Sequence, residues 1–104
     1  MSERIPGRVS VQTRALHRVF AAVAAEQLGS PATAVSARVA DDAGRLGVTV
    51  EGPAARRSDS PSLVRLGELA RDAVSEKGGR IAGVVVGRVS VRITDAAVHT
   101  GRVS

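Results

Sequence analysis

Residues 33–51, TAVSARVADDAGRLGVTVE, decide the fold. From Thr33 to Ala40 apolar and polar residues alternate, with Val35, Ala37 and Val39 on one face and Ser36 and Arg38 on the other, the pattern of a half-buried strand. Asp41-Asp42-Ala43-Gly44 is turn chemistry, because Asp bonds back to the backbone and Gly accepts a positive φ. Leu46, Val48 and Val50 then alternate on the way back to Glu51. The stretch predicts an antiparallel hairpin with one apolar face, and an apolar sheet face needs cover.

The cover lies on either side in the sequence. Upstream, Leu16, Val19, Phe20, Val23, Ala24 and Leu28 recur at helical spacing, while Arg14, His17, Arg18 and Glu26 fall mostly outside that stripe. Thr13 is the expected N-cap, and Gly29 followed by Pro31 is the expected stop. Downstream, Ser60-Pro61-Ser62 opens a second helix with Leu63, Leu66, Leu69, Ala70, Ala73 and Val74 on its apolar face. Gly67 weakens that helix by roughly 1 kcal/mol relative to Ala, and Lys77-Gly78-Gly79 is read as its end.

Two more strands complete the pattern. Residues 8–12 alternate with Val9 and Val11 on one side, and residues 81–94 form an extended run with Val89, Val91 and Ile93 inward. Gly83 and Gly87 in that run mark a bulge or bend near its start. Residues 52–60, with Gly, Pro and Arg56-Arg57 and no periodicity, read as a surface loop. The predicted fold class is α+β, a two-layer sandwich in β-α-β-β-α-β order with both helices on one face of a small mixed sheet. A single domain spans residues 6–97, with flexible termini at 1–5 and 98–104. The tetrapeptide GRVS at residues 7–10, 87–90 and 101–104 carries no functional weight in so Arg-, Val- and Ser-rich a chain.

Composition narrows the function. A chain of 104 residues, 43% of them hydrophobic, has room for one domain and one modest core. The absence of cysteine excludes a disulfide scaffold, a thiol nucleophile and a Cys-ligated metal site. Fifteen Lys and Arg against ten Asp and Glu give a net charge of +5, and every basic residue but Lys77 is arginine, which favours acidic partners. Residues 1–11 lack the basic start and apolar run of a secretion signal, and no apolar stretch approaches the roughly 20 residues of a membrane span, so the expected location is cytoplasmic.

The layout resembles the alkaline shock protein family, envelope stress response proteins of Gram-positive bacteria. The resemblance rests on PGRVSV with the helix ending AAVAAEQLG, the hairpin AVSARVADDAGRLGVTVEG, the helix LVRLGELARDAV and the closing strand VGRVSVRITD, and it covers residues 6–95. It implies a small cytoplasmic α+β domain with no enzymatic activity and no cofactor. It also implies self-association, as a homo-oligomer or filament, and work at the inner membrane face through a membrane-anchored protein partner. It supplies no functional residues to carry over to numbered positions. The long link PAARRSDSPS and the glycine-rich GGRIAGVVVG depart from the family pattern and leave the partner open.

Three sets of residues are candidates for a site. The polar face of the strands carries Arg8, Arg38, Arg88 and Arg92 among Ser10, Ser36, Thr49, Glu51 and Ser90, and Arg56 and Arg57 form a basic loop tip. Guanidinium forks bind oxyanions in pairs, so this face suits an acidic protein tail, anionic lipid headgroups or nucleic-acid phosphates. The alternative is an ordinary solvated strand face. A KH-like nucleic-acid-binding module is the second reading. Its support is thin, because the GRLG at 44–47 falls in a hairpin and the sole aromatic, Phe20, faces the core instead of offering a base-stacking platform. His17 and His99 have no companion ligands, Asp41 and Asp42 lack calcium-loop spacing, and no nucleophile, phosphate-loop or dinucleotide motif is present, so no catalytic, metal or cofactor residue is assigned. Finally, the outer strands of a small open sheet expose backbone groups on which copies can pair.

Overall fold

The computed structural model describes residues 6–56 and 59–98, with the side chains of residues 6–11, 56 and 95–98 outside the description. The chain is an α+β domain. Helix α1 (Pro6–Leu28) leads through a 3-10 turn (Ala32–Ala34) to β1 (Ser36–Asp42) and β2 (Arg45–Arg56). Helix α2 (Leu63–Ala73) then passes through a π-helical turn (Val74–Gly78) into α3 (Gly79–Ala82), and β3 (Val86–Val98) ends the domain. The sheet is mixed, in the order β1-β2-β3, with β1 antiparallel and β3 parallel to the central β2.

The hairpin forms as the sequence predicts. Val39 pairs with Val48, and Ala43 and Gly44 both take positive φ (54° and 88°), the turn geometry that matches strand twist. Ser62 caps α2, its hydroxyl accepting from the Arg65 amide at 3.1 Å. The predicted irregularity at Gly87 is real. Leu46 pairs with Val86 and Val48 with Val89, so β3 carries one extra residue there. The Asp42 carboxylate fills the gap and accepts from the Arg88 amide at 2.9 Å. A Cβ on Gly87 would lie 2.7 Å from that carboxylate, which is why the position has none.

Several sequence expectations are corrected. Residues 8–12 are helix, not strand, so the order is α-β-β-α-β and Arg8 lies in α1 instead of on the sheet. Two valines in a five-residue alternation cannot outweigh a neighbouring helix that gains one hydrogen bond for each residue added. Pro6 stands at the first helical position, where its missing N–H costs nothing, and Thr13 is interior to the helix. Residues 52–56 belong to β2 instead of a loop. Pro53 is tolerated because β1 has ended opposite Glu51 and the pairing with β3 shifts between Gly52 and Ala54, so no ladder bond is asked of its nitrogen. The Pro53 carbonyl instead accepts from the Ser30 hydroxyl. Ile81 is helical, and the extended run begins only at Val86.

The helix end is corrected as well. Gly78 and Gly79 do not stop the helix; both are buried, and a Cβ on Gly78 would lie 2.8 Å from the Phe20 ring. Gly78 lets α1 approach this turn while Gly79 admits Val84 and Val86, and the true stop is Gly83, left-handed at φ 71°, whose N–H donates to the Gly79 carbonyl at 2.8 Å. Gly78→Ala is therefore expected to destabilise. Roughly 1 kcal/mol of helix propensity is outweighed by an overpacking cost of about 1–3 kcal/mol, and urea unfolding should show a lowered midpoint, restored when Phe20 is shortened to Leu.

One core joins helices and sheet. Phe20, Val23, Ala24 and Leu28 of α1, Leu66 and Ala70 of α2 and Val74 of the π turn pack with Ala37, Val48, Val50, Ala54 and Val89. The alternate residues Ser36, Arg38, Thr49, Arg88, Ser90 and Arg92 are exposed on the opposite face of the sheet. Lys77, expected to serve the helix dipole, bridges instead to Glu26 of α1 at 2.9 Å.

Candidate functional site: the open sheet face

Alternation along three strands sets the open face. The register aligns Arg38 of β1, Thr49 of β2 and Ser90 of β3 in one row, and Ser36, Glu51 and Arg92 in the next. At about 4.8 Å between strands, Arg38 and Ser90 stand about 10 Å apart at their Cα atoms. Between them lies a shallow concavity of about 410 Å³ lined by Arg38, Ala40, Asp42, Gly47, Thr49, Arg88 and Ser90. Gly47 keeps its floor low, since a Cβ there would lie 3.2 Å from that of Asp42.

The charges on this face are not equivalent. Arg92 shares Glu51 across strands at 3.5 Å, and Asp42 is engaged by the Arg88 backbone. The Arg38 and Arg88 guanidinium groups form no ion pair among the described residues. With the Thr49 and Ser90 hydroxyls they offer donors spaced for an extended anion such as a carboxylate-bearing segment.

Of the predicted site residues the structure thus brings together Arg38, Arg88 and Arg92. Arg8 belongs to α1, Arg56 lies in β2 with its side chain outside the description, and Arg57 and His99 lie outside the described residues. Sequence reading missed Gly47, and read Gly87 as a bulge without its place at the site. Their signal is a glycine inside a strand, which marks close approach of another group. The GRLG of residues 44–47 sits at the hairpin turn as expected. Among the described residues no group of three or more His, Asp or Glu is placed to hold a metal, and no helix is long and apolar enough to cross a membrane.

Among the described residues neither outer strand has a strand paired on its far edge. The outer edge of β3 adjoins a groove lined by Leu63, Val64, Gly67, Val91 and Ile93, in which Val64 is 73% exposed. The outer edge of β1 adjoins a second groove of about 570 Å³, walled by Arg14, His17, Arg18 and Ala21 of α1 and floored by Val35 and Ala37. His17 Nε2 is buried there with no hydrogen-bond partner among the described residues. Comparison of the chain with protein-family models, curated proteins and solved structures finds no match.

Proposed function

We propose that this chain is a non-enzymatic interaction protein of the envelope stress response. It acts at the cytoplasmic side of the membrane, docks an acidic segment of a protein partner on its open sheet face and self-associates along a free strand edge. The observation that carries the reading is the pair Arg38 and Arg88, exposed across the concavity over Gly47 and Thr49 with no carboxylate of the described residues to answer either. The exposure of Ser36, Arg38, Thr49, Arg88, Ser90 and Arg92 on the sheet face away from the core supports it, because that arginine face is open to a partner. The four sequence motifs that resemble the alkaline shock proteins support the envelope-stress assignment.

An acidic protein segment fits this face better than a single-stranded nucleic acid. Base recognition calls for stacking surfaces, and the sole aromatic, Phe20, is fully buried. The test is a fluorescence-anisotropy titration with a labelled poly-glutamate dodecapeptide. Arg38→Glu with Arg88→Glu should weaken binding at least about tenfold while leaving the unfolding midpoint nearly unchanged, because both residues are exposed. Unaltered binding overturns the assignment. No peptide binding, with steeply salt-dependent binding to single-stranded RNA in its place, replaces it with the KH-like reading.

A further inference from the structure

We infer that two copies of this chain pair through β1, strand against strand in antiparallel register about Val39, to make a six-stranded sheet. The inference rests on the self-association part of the proposed function and names the surface and the charge code behind it. β1 is an outer strand of seven residues whose far side pairs with no other strand among the described residues, which leaves alternate backbone amides and carbonyls along it open.

The sequence of that edge, SARVADD, is basic at one end and acidic at the other. Around the basic end stand Arg14, His17 and Arg18, which wall the groove beside Ala37, and none of the three has an ion-pair partner among the described residues. At the other end Asp41 is exposed and likewise without an ion pair. An antiparallel pair centred on Val39 sets position 37 of one copy against position 41 of the other. Directly opposed residues project from the same face, and position 41 shares the helix-side face of positions 37 and 39. Each Asp41 is therefore delivered into the cationic groove of the other copy, with Arg14, Arg18 and the unpartnered His17 ring around it. The contact occurs twice about the two-fold axis, as an isologous interface requires.

The register is selective. Centring the pair on Ala37 instead would place the arginine walls of both copies at the axis, like charge against like. The Val39 register also sets the partner's Ala43 and Gly44 beside Val35 and Ala34, where small side chains fit against the 3-10 turn.

The charge code can be tested by exchange. Sedimentation equilibrium should find the full-length wild-type chain dimeric. Asp41→Lys alone, and Arg14→Glu with Arg18→Glu alone, should each weaken the dimer at least about tenfold, with circular dichroism unchanged since all three positions are exposed. Mixing the two variants should restore a dimer, because both symmetric contacts then join opposite charges. Native mass spectrometry identifies this heterodimer by its mass. A wild-type chain that stays monomeric overturns self-association itself. A dimer indifferent to these charges, or variants that do not recombine, overturns only the β1 interface.

Discussion

Truncating Phe20 to alanine will lower the unfolding free energy by about 3–5 kcal/mol, read as a fall in urea midpoint at constant slope. Domains of this size are stable by about 5–15 kcal/mol, so the variant will sit close to unfolding at room temperature. Phe20 is the sole aromatic residue of the chain and is fully buried. Its ring lies where a Cβ on Gly78 would stand, and alanines at 21, 24 and 70 share its core. Gly78, which lies against the ring, has no side chain to fill the cavity, so the site collapses only in part and a cavity term adds to the lost burial. A loss below about 1 kcal/mol would show that this core is not organised around the ring.

The second large effect is expected at Gly52. A Cβ there would lie 2.9 Å from Val35 Cγ2, 3.1 Å from Val35 Cα and 3.2 Å from the Ala34 carbonyl. Val35 is buried and stiff at χ1, and the other two atoms are backbone, so nothing can swing aside cheaply. Gly52→Ala should cost about 1–3 kcal/mol through overpacking, although alanine in a strand would otherwise be the better residue by roughly 0.5–1 kcal/mol. A neutral or stabilised variant in the same urea titration would refute the close approach of the 3-10 turn to β2.

Much of this architecture was legible in local pattern. The alternation of residues 35–39 and 46–50, the Ala43-Gly44 turn, the Ser62 cap and the bulge at Gly87 each depend on a few neighbouring residues. What escaped was decided by distant partners. Gly78 and Gly79 look like a helix stop, yet Phe20, far off in the sequence, packs against Gly78 and makes the pair a passage. Gly52-Pro53 looks like a loop, yet β3 draws it into the sheet where β1 no longer competes. Valines at 9 and 11 fit either period, and the length of the adjoining helix settled the matter. The arginines at 38, 88 and 92 could be assigned to one face from parity alone. That Glu51 answers Arg92 and leaves the other two unanswered needed the register.

Pro53 has a consequence for assembly. A newcomer sliding along the open margin of β2 past Glu51 meets a rung with no hydrogen to give, and the oxygen beside it is already held by Ser30. That margin is sealed, so β2 is closed to recruitment over its last stretch. That leaves the seven positions of the short outer strand and the far rim beyond Val86 as pairing edges, and in the pairing we infer the former is used up by one partner, so it adds no third copy.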